Sequence, residues 1–528
     1  MSGFDALPSC PALKKKLVAA NRNTAPSASA SGIKPGSRNV ALTSLAGSLR
    51  ARGLGEAGIA AALVGVNSTL PVPLPEGEVA GIARSVGRYP AGFTVPPDDL
   101  GLSRSVAAEM EGQFLHDGAW RMWDGQRWAE DSGGKGAKEA VKSILEAYRD
   151  HVRATGGEVK GLGSGARVRS ITDLIQSDKL LSVDPADLDA DTTLLNLRNG
   201  ILDLKTLTLS PHDPAQRLTK LASASFKPEA EAPTFKGFLE RVQPDPEVRG
   251  FLARLFGYAL LGDPAEQRFA IFHGPGRNGK SVLLEVMLAI FGSYGATAEP
   301  STFIRQRSER VRSDLARLEG IRLVGTSELA LGEILDAPLV KRITGGERIT
   351  ARHLYQAERE FVPRFVPIMA TNALPVIDGG DRALARRLVL VPFDQIIPEG
   401  EVDIHLAAKL RGEADGILNW VLEGLRDYRS KGLAIPVGIR LAGDQFVEDS
   451  DMILSFLKKR LEMLSAKRVV LGDIFADYRM WAVSEGLSPM SKPTFSKEVA
   501  KRLGTSRKSN GSMVFDVSPE VWAAIAAG

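Results

Sequence analysis

The chain has 528 residues, and 67 lysines and arginines against 63 aspartates and glutamates leave a net charge of +4. A hydrophobic fraction of 44% and a charged fraction of 25% are typical of globular proteins and exclude a disordered or fibrous chain. About three to five domains are expected at this length. The nearly even balance of charge excludes a histone-like, tail-driven nucleic-acid binder.

The sequence predicts neither a membrane span nor a secretory signal. The best apolar run, residues 251–261, is interrupted by Arg254 and is shorter than the roughly 18 residues that cross a bilayer. Residues 14–16 are lysines with no apolar run after them, which is not the pattern of a signal peptide. The single cysteine, Cys10, excludes an internal disulfide and a cysteine-rich zinc site, and a reducing, cytoplasmic setting fits best.

The N-terminal half is predicted to hold three parts. Residues 1–39, rich in Ser, Ala, Pro, Lys and Arg, are expected to be a disordered basic tether. Leucines at helical spacing from Leu42, followed by two further helical patterns, predict a small helical module over residues 40–90. Residues 103–233 are predicted to form an α+β domain with two β-hairpins, one around an Asp-Gly turn at 120–128 and one around an Asn-Gly turn at 194–204.

The C-terminal half is predicted to be an α/β core followed by helical parts. Short apolar strands alternate with helices over residues 234–400, which is typical of an α/β domain with a mostly parallel sheet. Residues 401–440 are expected to be a helical lid or linker. Helices and a closing pair of strands over residues 441–528 predict a winged-helix-like domain. No internal repeat is found.

The strongest motif is the octapeptide GPGRNGKS, which matches the phosphate-loop pattern G-x-x-x-x-G-K-[ST] between a predicted strand and a predicted helix. Its glycines let backbone N–H groups approach a phosphate, and its lysine offers a charge to the β- and γ-phosphates. The alternative, a glycine-rich turn with a surface lysine, does not explain the strand and helix on either side. The predicted nucleotide-binding residues are Gly274, Pro275, Gly276, Arg277, Asn278, Gly279, Lys280, Ser281 and Val282.

Hydrolysis of a nucleotide needs further groups, and two apolar strands end in suitable ones. Glu328 follows residues 321–326 in the layout of a Walker B element, where a carboxylate can polarise water; Glu333 and Asp314 are weaker candidates. We expect Ser281 and Glu328 to hold Mg²⁺. Asn372 ends the next apolar strand and can sense the γ-phosphate. Each of these side chains is also compatible with an exposed residue after a core strand.

An arginine pair precedes the last predicted strand of this domain. Arg387, with Arg386 as its substitute, is predicted to act as an arginine finger that stabilises transition-state charge on a neighbouring subunit's γ-phosphate. The alternative interpretation is a basic surface turn.

Taken together, these blocks resemble the phage and poxvirus type of primase–helicase, in helicase superfamily 3 of the AAA+ P-loop ATPases. The matching stretches are LNLRNGILDL (195–204), GPGRNGKS (274–281), ARLEGIRLV (316–324), KRITGGERITAR (341–352), ATNALP (370–375) and RRLVLVPF (386–393). Residues 120–128 resemble the family's helicase-associated N-terminal region. Residues 40–90 resemble the module that follows the family's primase domain, and the C-terminal part resembles its winged-helix tail.

The resemblance implies a homo-hexameric ring that binds ATP and Mg²⁺ and moves 3′ to 5′ along single-stranded DNA. It also implies a pore hairpin, which here falls between residues 349 and 365. Taken singly, each basic residue near it is equally compatible with a solvated surface charge. The DNA-binding candidates are Lys341, Arg342, Arg352, His353, Tyr355 and Arg359.

The chain departs from the family in two places. Ser327 and Glu328 stand where many members have paired carboxylates. Only about forty residues precede the helical module, so we expect no primase activity, and we interpret Asp187 and Asp189 as surface residues.

The first functional hypothesis is an ATP-driven DNA helicase that acts on single-stranded and forked DNA during replication of a phage or mobile element. It would work in the cytoplasm of a bacterial host, away from membranes, with a separate primase or polymerase as a possible partner. The second is a nucleotide-gated DNA-binding or loading platform at an origin, without unwinding activity of its own. A P-loop kinase for a small molecule is the third, and it lacks an acceptor-binding lid.

Overall fold

The computed structural model describes residues 38–51, 54–70, 72–87, 95–96, 98–154, 159, 161–306, 312–330, 332–352, 358–377, 381–450, 452–464, 468–485, 489–504, 506–509 and 511–527. They form two compact units: residues up to 190 with 212–219, and residues 191–211 with those from 220 onward. The tether predicted over residues 1–39 lies almost entirely outside the described residues. Within the described ranges, every helix is either too short or too polar to span a bilayer.

The first unit begins with three helices: α1 (Arg38–Ala51), α2 (Glu56–Asn67) and α3 (Glu76–Gly87). Their apolar faces meet in a core that contains Leu42, Ile59 and Val79. Asn67 is buried, and its side chain closes the connection between α2 and α3 by bonding both the N–H and the carbonyl of Leu74, at 2.8 and 2.9 Å. The three helices predicted from the apolar spacing are therefore confirmed.

The rest of the first unit packs three helices on a small antiparallel sheet of order β1-β2-β3. Trp123 and Trp128 are cross-strand partners with ring centroids 5.5 Å apart, which confirms the hairpin at the Asp-Gly turn. Asp124 closes that turn by accepting from the N–H groups of Gln126 and Arg127. The elements are α4 (Asp99–Met110), β1 (Phe114–His116), β2 (Trp120–Trp123), β3 (Trp128–Glu130), α5 (Lys135–Ala154) and α6 (Gly165–Ile175).

The acidic stretch near residue 187 has a structural role at the surface of the first unit. Asp187 is exposed and forms an ion pair of 2.6 Å with Arg217. Asp189 accepts from the backbone N–H of Thr219 at 2.8 Å. Asp187 is thus at the surface as predicted, whereas Asp189 is half-buried.

The second hairpin, predicted at the Asn-Gly turn, consists of β4 (Leu194–Leu197) and β5 (Gly200–Asp203), extended by β6 (Thr208–Ser210). It belongs to the second unit because Leu195, Leu197 and Leu202 are buried in that unit's core. Residues 103–233, predicted as one domain, include parts of both units.

A pair of helices crosses closely beneath the sheet of the second unit. They are α8 (Pro246–Ala259) and α14 (Ala414–Lys431), and a third helix, α7 (Pro233–Val242), precedes them. Gly424 on α14 lies against the backbone of Ala253 on α8, so close that a Cβ on Gly424 would collide with the Ala253 carbonyl. Arg254, which interrupts the apolar run, is buried and bonds Asp427 and the carbonyl of Leu433.

The core of the second unit is a five-stranded, all-parallel sheet of order β13-β7-β12-β9-β8, which confirms the α/β prediction. Buried aliphatic and aromatic residues cover both faces of the sheet, as expected for parallel strands. Its strands are β7 (Phe269–His273), β8 (Gly295–Ala298), β9 (Leu323–Thr326), β12 (Val366–Thr371) and β13 (Leu388–Pro392). The other elements are α9 (Lys280–Phe291), α10 (Ser313–Ala316), α11 (Ala337–Thr344), β10 (Ile349–Ala351), β11 (Arg359–Phe361), α12 (Arg382–Ala385) and α13 (Leu406–Gly412).

The C-terminal module combines four helices with a small antiparallel sheet of order β14-β16-β15. The helix before it, α15 (Val437–Ser450), crosses the predicted domain boundary at residue 440, and its Phe446 is buried in the core beside the parallel sheet. The elements of the module are α16 (Met452–Leu464), β14 (Arg468–Val470), α17 (Leu471–Ser484), α18 (Lys492–Leu503), β15 (Ser506–Ser509), β16 (Ser512–Asp516) and α19 (Pro519–Ala527). Strand β14 and helix α19 were not predicted.

Candidate functional site

The glycine-rich loop connects the end of β7 to the start of α9. Gly279 immediately precedes the helix with a φ of 80°, a conformation that favours glycine. Gly274 packs so closely on the carbonyl of Phe393 that a Cβ would collide with it. Asn278 is 1% exposed and donates from Nδ2 to the same carbonyl at 2.7 Å. The loop is thus fixed to the end of β13, and its exposed outer residues are Pro275, Gly276 and Arg277.

The first turn of α9 presents the predicted polar groups. Ser281 is exposed, whereas Val282 packs on the apolar core beneath the loop. The N–H groups of a first helical turn have no partner within the helix, and the helix dipole places positive potential there. The loop and this turn can therefore receive an anionic phosphate.

Lys280 is held inward by its own loop. Its side chain is 3% exposed, and Nζ donates to the carbonyl of Gly274 at 3.1 Å, to Oδ1 of Asn278 at 3.3 Å and to Oδ1 of Asn372. Burial lowers the pKa of the Lys280 ammonium below its usual value, and the nearby charge of Glu328 opposes that shift. The ammonium is thus surrounded by neutral oxygens that a phosphate could replace.

Asn372 connects the lysine to the predicted Walker B carboxylate. Its Oδ1 accepts from Lys280, and its Nδ2 donates to Oε1 of Glu328 at 2.9 Å. This contact follows from the strand order, because β12 lies between β7 and β9 and all three strands end at the same edge of the sheet. Three residues predicted separately from the sequence are therefore brought together.

Thr371 is a supporting residue that the sequence analysis missed. It is fully buried at the end of β12, and its hydroxyl accepts from the backbone N–H of Leu329 at 3.3 Å and donates to the carbonyl of Ala373 at 2.8 Å. It therefore ties the segment that carries Glu328 to the segment that carries Asn372. A buried threonine at a strand end carries no sequence signal of such a role.

The two weaker carboxylate candidates, Asp314 and Glu333, form other local contacts. Asp314 forms an ion pair of 3.1 Å with Arg312. The backbone carbonyl of Glu333 accepts from the N–H of Val376 at 2.8 Å. Glu328 remains the carboxylate that the structure joins to Lys280 through Asn372.

The predicted arginine finger lies at the opposite edge of the sheet. The carbonyl of Arg387 accepts from the N–H of Phe269, the first residue of β7, whereas Gly274 follows the last residue of that strand. Five residues of extended strand separate the two ends by about 16 Å. The Arg387 side chain stays at its own edge, where Nη1 donates to the carbonyl of Ala383 at 3.1 Å. Arg386, beside it, is exposed.

Lys341, predicted to bind DNA, contacts the segment before the arginines. Its Nζ forms an ion pair of 2.6 Å with Oδ2 of Asp381, and Oδ1 of Asp381 accepts from the N–H groups at the start of α12. Burial tends to raise the pKa of the Asp381 carboxyl, but hydrogen bonds from Lys341 and the backbone outweigh it, so the pKa is lowered. This pair supports the turn that carries Arg386 and Arg387. Asp381 has no sequence signal for this role.

The remaining DNA-binding candidates lie on or beside a hairpin. Strands β10 and β11 pair antiparallel, with Ala351 opposite Arg359, which confirms a hairpin between residues 349 and 365. Arg352 is exposed after β10. Arg342 is exposed on α11 and donates to the carbonyl of Arg348 at 3.2 Å. His353 and Tyr355 lie outside the described residues.

Family models of known proteins match three successive parts of the chain. The family model described as "Primase C terminal 1" matches residues 27–91, "D5 N terminal like" matches residues 115–244, and "Family of unknown function (DUF5906)" matches residues 272–387. Among solved structures, the apo structure of the NrS-1 C-terminal region is similar, with 13% identity, a TM-score of 0.46, and coverage of 80% of this chain and 100% of that one.

Two viral proteins illustrate the curated relatives. "Putative helicase L207/L206" of Acanthamoeba polyphaga mimivirus is 24% identical over 428 residues, which are 72% of this chain and 45% of that protein. "Putative primase C962R" of African swine fever virus is 26% identical over 212 residues, which are 38% of this chain and 22% of that protein. The chain thus spans less than half the length of these relatives. These matches confirm the resemblance to phage and viral primase–helicases that the motifs indicated.

Proposed function

We propose that this chain is an ATP-driven DNA helicase that works as a ring of six copies and moves 3′ to 5′ along single-stranded DNA. Its role is in the replication of a phage or other mobile element. Its viral relatives are named "Putative helicase L207/L206" and "Putative primase C962R", and these names support the replicative role. The hexameric ring and the direction of movement come from the resemblance of its motifs to superfamily 3 helicases.

A single observation carries the proposal. Lys280, Asn372 and Glu328 lie at the carboxyl edge of the parallel sheet, whereas Arg387 lies at the amino edge. With about 16 Å of strand between the two edges, one copy cannot bring its own Arg387 to its own loop. A site that needs both the phosphate loop and Arg387 is completed only when the amino edge of one copy meets the carboxyl edge of the next. Such a head-to-tail contact generates a ring when the rotation closes.

Each residue then has a distinct task in ATP hydrolysis. The loop 274–281 cradles the phosphates, and Lys280 exchanges its contacts with neutral oxygens for the β- and γ-phosphates. Glu328 polarises the attacking water, and Asn372 holds that carboxylate while it senses the γ-phosphate. Arg387 of the adjoining copy stabilises the charge that develops on the transferred phosphoryl group.

The donor set fits Mg²⁺ bound together with a triphosphate. Among the described residues, no group of three or more His, Cys, Asp or Glu side chains could hold a metal alone. Mg²⁺ in phosphate sites takes one or two protein ligands and completes its shell with water and phosphate oxygens. Ser281 and Glu328 are the two residues that would supply those ligands. The bound ion would neutralise charge on the β- and γ-phosphates.

The DNA path is assigned to the hairpin β10–β11. Arg352 and Arg359 flank its tip, and Arg342 is exposed on the preceding helix. Phosphate contacts from arginine do not depend on base sequence, as a motor that passes any sequence requires. The C-terminal module is proposed to be a winged helix that binds duplex or forked DNA, with basic residues exposed on α18 (Lys492–Leu503).

The test is unwinding of forked DNA by the purified chain. We expect ATP-dependent strand separation on a fork with a 3′ tail and little on a fork with only a 5′ tail. Lys280→Ala, which removes the phosphate-binding charge, should abolish both unwinding and hydrolysis. Hydrolysis that DNA stimulates without strand separation on either fork would refute the helicase and favour the loading platform.

A further inference from the structure

A surface cleft at the amino edge of the sheet is lined by three arginines, of which Arg268 has no assigned role. The cleft has a volume of about 610 Å³, and Arg386 and Arg387 line it with Arg268. Arg268 immediately precedes β7, and Arg387 immediately precedes β13, the strand beside it. The parallel pairing of these two strands therefore places both guanidinium groups at the same edge.

The cleft offers hydrogen-bond donors that the chain itself does not satisfy. The Nε atoms of Arg268 and Arg387 are buried, and within the described residues neither has a hydrogen-bond partner. Among the residues that the structure describes, no carboxylate forms an ion pair with Arg268, Arg386 or Arg387. Glu266 also lines the cleft; burial, and after it the nearby Glu266 carboxylate, raise the pKa of the Tyr428 hydroxyl. Three arginines without a paired carboxylate give the cleft a positive potential, which favours an anion.

Arg268 also holds the backbone of the arginine segment. Its Nη1 donates to the carbonyl of Arg386, and its buried Nε has no partner among the described residues. One N–H group of the Arg268 guanidinium is thus anchored to the protein, and this contact fixes the orientation of the whole guanidinium plane. A planar guanidinium fixed in this way suits a tetrahedral oxyanion such as a phosphoryl group.

We propose that Arg268 is a second guanidinium of the shared site, and that this cleft receives the terminal phosphoryl group of a nucleotide bound to the adjoining copy. The proposal rests on the proposed function, because it requires a neighbour whose phosphate loop faces the cleft. Arg387 and Arg268 then donate to the same group from two adjacent strands. A phosphate of the DNA backbone has the same chemistry, so the experiment must separate the two sources.

The test compares Arg268→Gln with wild type in steady-state ATP hydrolysis, with and without single-stranded DNA. Loss of a charge-assisted donor that acts in the transition state should lower kcat by about 10- to 100-fold. The Kd of the nucleotide should change by less than about twofold, because the adjoining copy's loop supplies most contacts to the nucleotide and Arg268 acts mainly on charge that develops in the transition state. Arg104→Gln, at an exposed arginine of the first unit, is the charge-matched control and should retain wild-type kcat.

A double-mutant cycle sharpens the assignment. If Arg268 and Arg387 act on one phosphoryl group, the losses in kcat from Arg268→Gln and from Arg387→Lys, which keeps a charge and a measurable kcat, should not multiply in the double variant. Independent, fully multiplicative losses would overturn a shared target. If Arg268→Gln lowers the melting temperature, Arg268→Lys keeps the charge without Nε and should fold normally with kcat still reduced. A Lys variant with wild-type kcat would overturn the proposal.

The outcomes distinguish this proposal from the proposed function. A wild-type protein that hydrolyses no ATP would refute the proposed function itself. An active wild type with an equally active Arg268→Gln variant would refute only the role of Arg268. Weakened DNA binding in the absence of nucleotide, with DNA-free kcat unchanged, would assign the cleft to DNA phosphates and overturn the nucleotide assignment.

Discussion

The contact between Asn372 and Glu328 gives a sharp prediction for Asn372→Asp. The substitution is nearly isosteric and keeps an acceptor facing Lys280, but it replaces the donor that faces Glu328 with a carboxylate oxygen. At the observed 2.9 Å the two groups would repel each other instead of bonding. A lost hydrogen bond to a charged group costs about 1.5–3 kcal/mol, which corresponds to about 10- to 150-fold in kcat if the bond matters in the transition state. Both side chains are exposed, so water screens the added repulsion.

The assay is kcat for DNA-stimulated ATP hydrolysis from about pH 6 to pH 9, with Asn372→Ala as the matched comparison. Alanine removes the bond without adding charge, so the Asp variant should be slower than the Ala variant. Two adjacent carboxylates retain a proton more readily, so the acid limb of the Asp profile should move to higher pH. An Asp variant with wild-type kcat and an unshifted acid limb would refute the connection of Asn372 to Glu328.

Two other predictions concern Lys280 and the helix crossing. Because burial lowers the pKa of the Lys280 ammonium, the empty site loses its charge at lower pH than an ordinary lysine would. Nucleotide affinity should therefore fall as pH rises through that pKa, and calorimetry in two buffers should show proton uptake on binding. A nucleotide affinity that is independent of pH up to about 10 would contradict this prediction. Gly424→Val should destabilise the second unit by about 3 kcal/mol and lower its melting temperature by about 6–12 °C, because Ala253 is a backbone neighbour that cannot move aside. Gly443→Ala, in open space on α15, is the control and should be neutral or slightly stabilising, and equal melting temperatures for the two variants would refute the packing argument.

Local patterns were sufficient to predict most of the second unit's core. The spacing of the glycines and Lys280 defines the loop, and Glu328 and Asn372 could be selected because each follows a run of buried apolar residues. The hairpin at Trp123 and Trp128 was predictable because the turn and the strand alternation lie within one short segment. All of these signals are contained in a few consecutive residues.

Contacts between residues that are far apart in the sequence could not be predicted from local patterns. The sequence could not place β12 between β7 and β9, so the contact of Asn372 with both Lys280 and Glu328 was not predicted. Lys341 was expected at DNA because it is basic, but its partner Asp381 lies 40 residues away. Arg268 is a single arginine before a strand, and only strand pairing brings it beside Arg387. The hairpin β4–β5 was recognised, but the core in which its leucines are buried could not be predicted, because that burial depends on tertiary packing.

The central claim, that each ATP site is built from two copies, is tested most directly by mixing two inactive variants. Lys280→Ala retains the arginine edge and Arg387→Ala retains the phosphate loop, so each alone should lack hydrolysis. Equimolar mixtures should regain activity, because an intact loop from one variant then faces an intact Arg387 from the other. Mixtures that stay inactive at every ratio, from variants that still assemble with wild type, would contradict a site shared between neighbours.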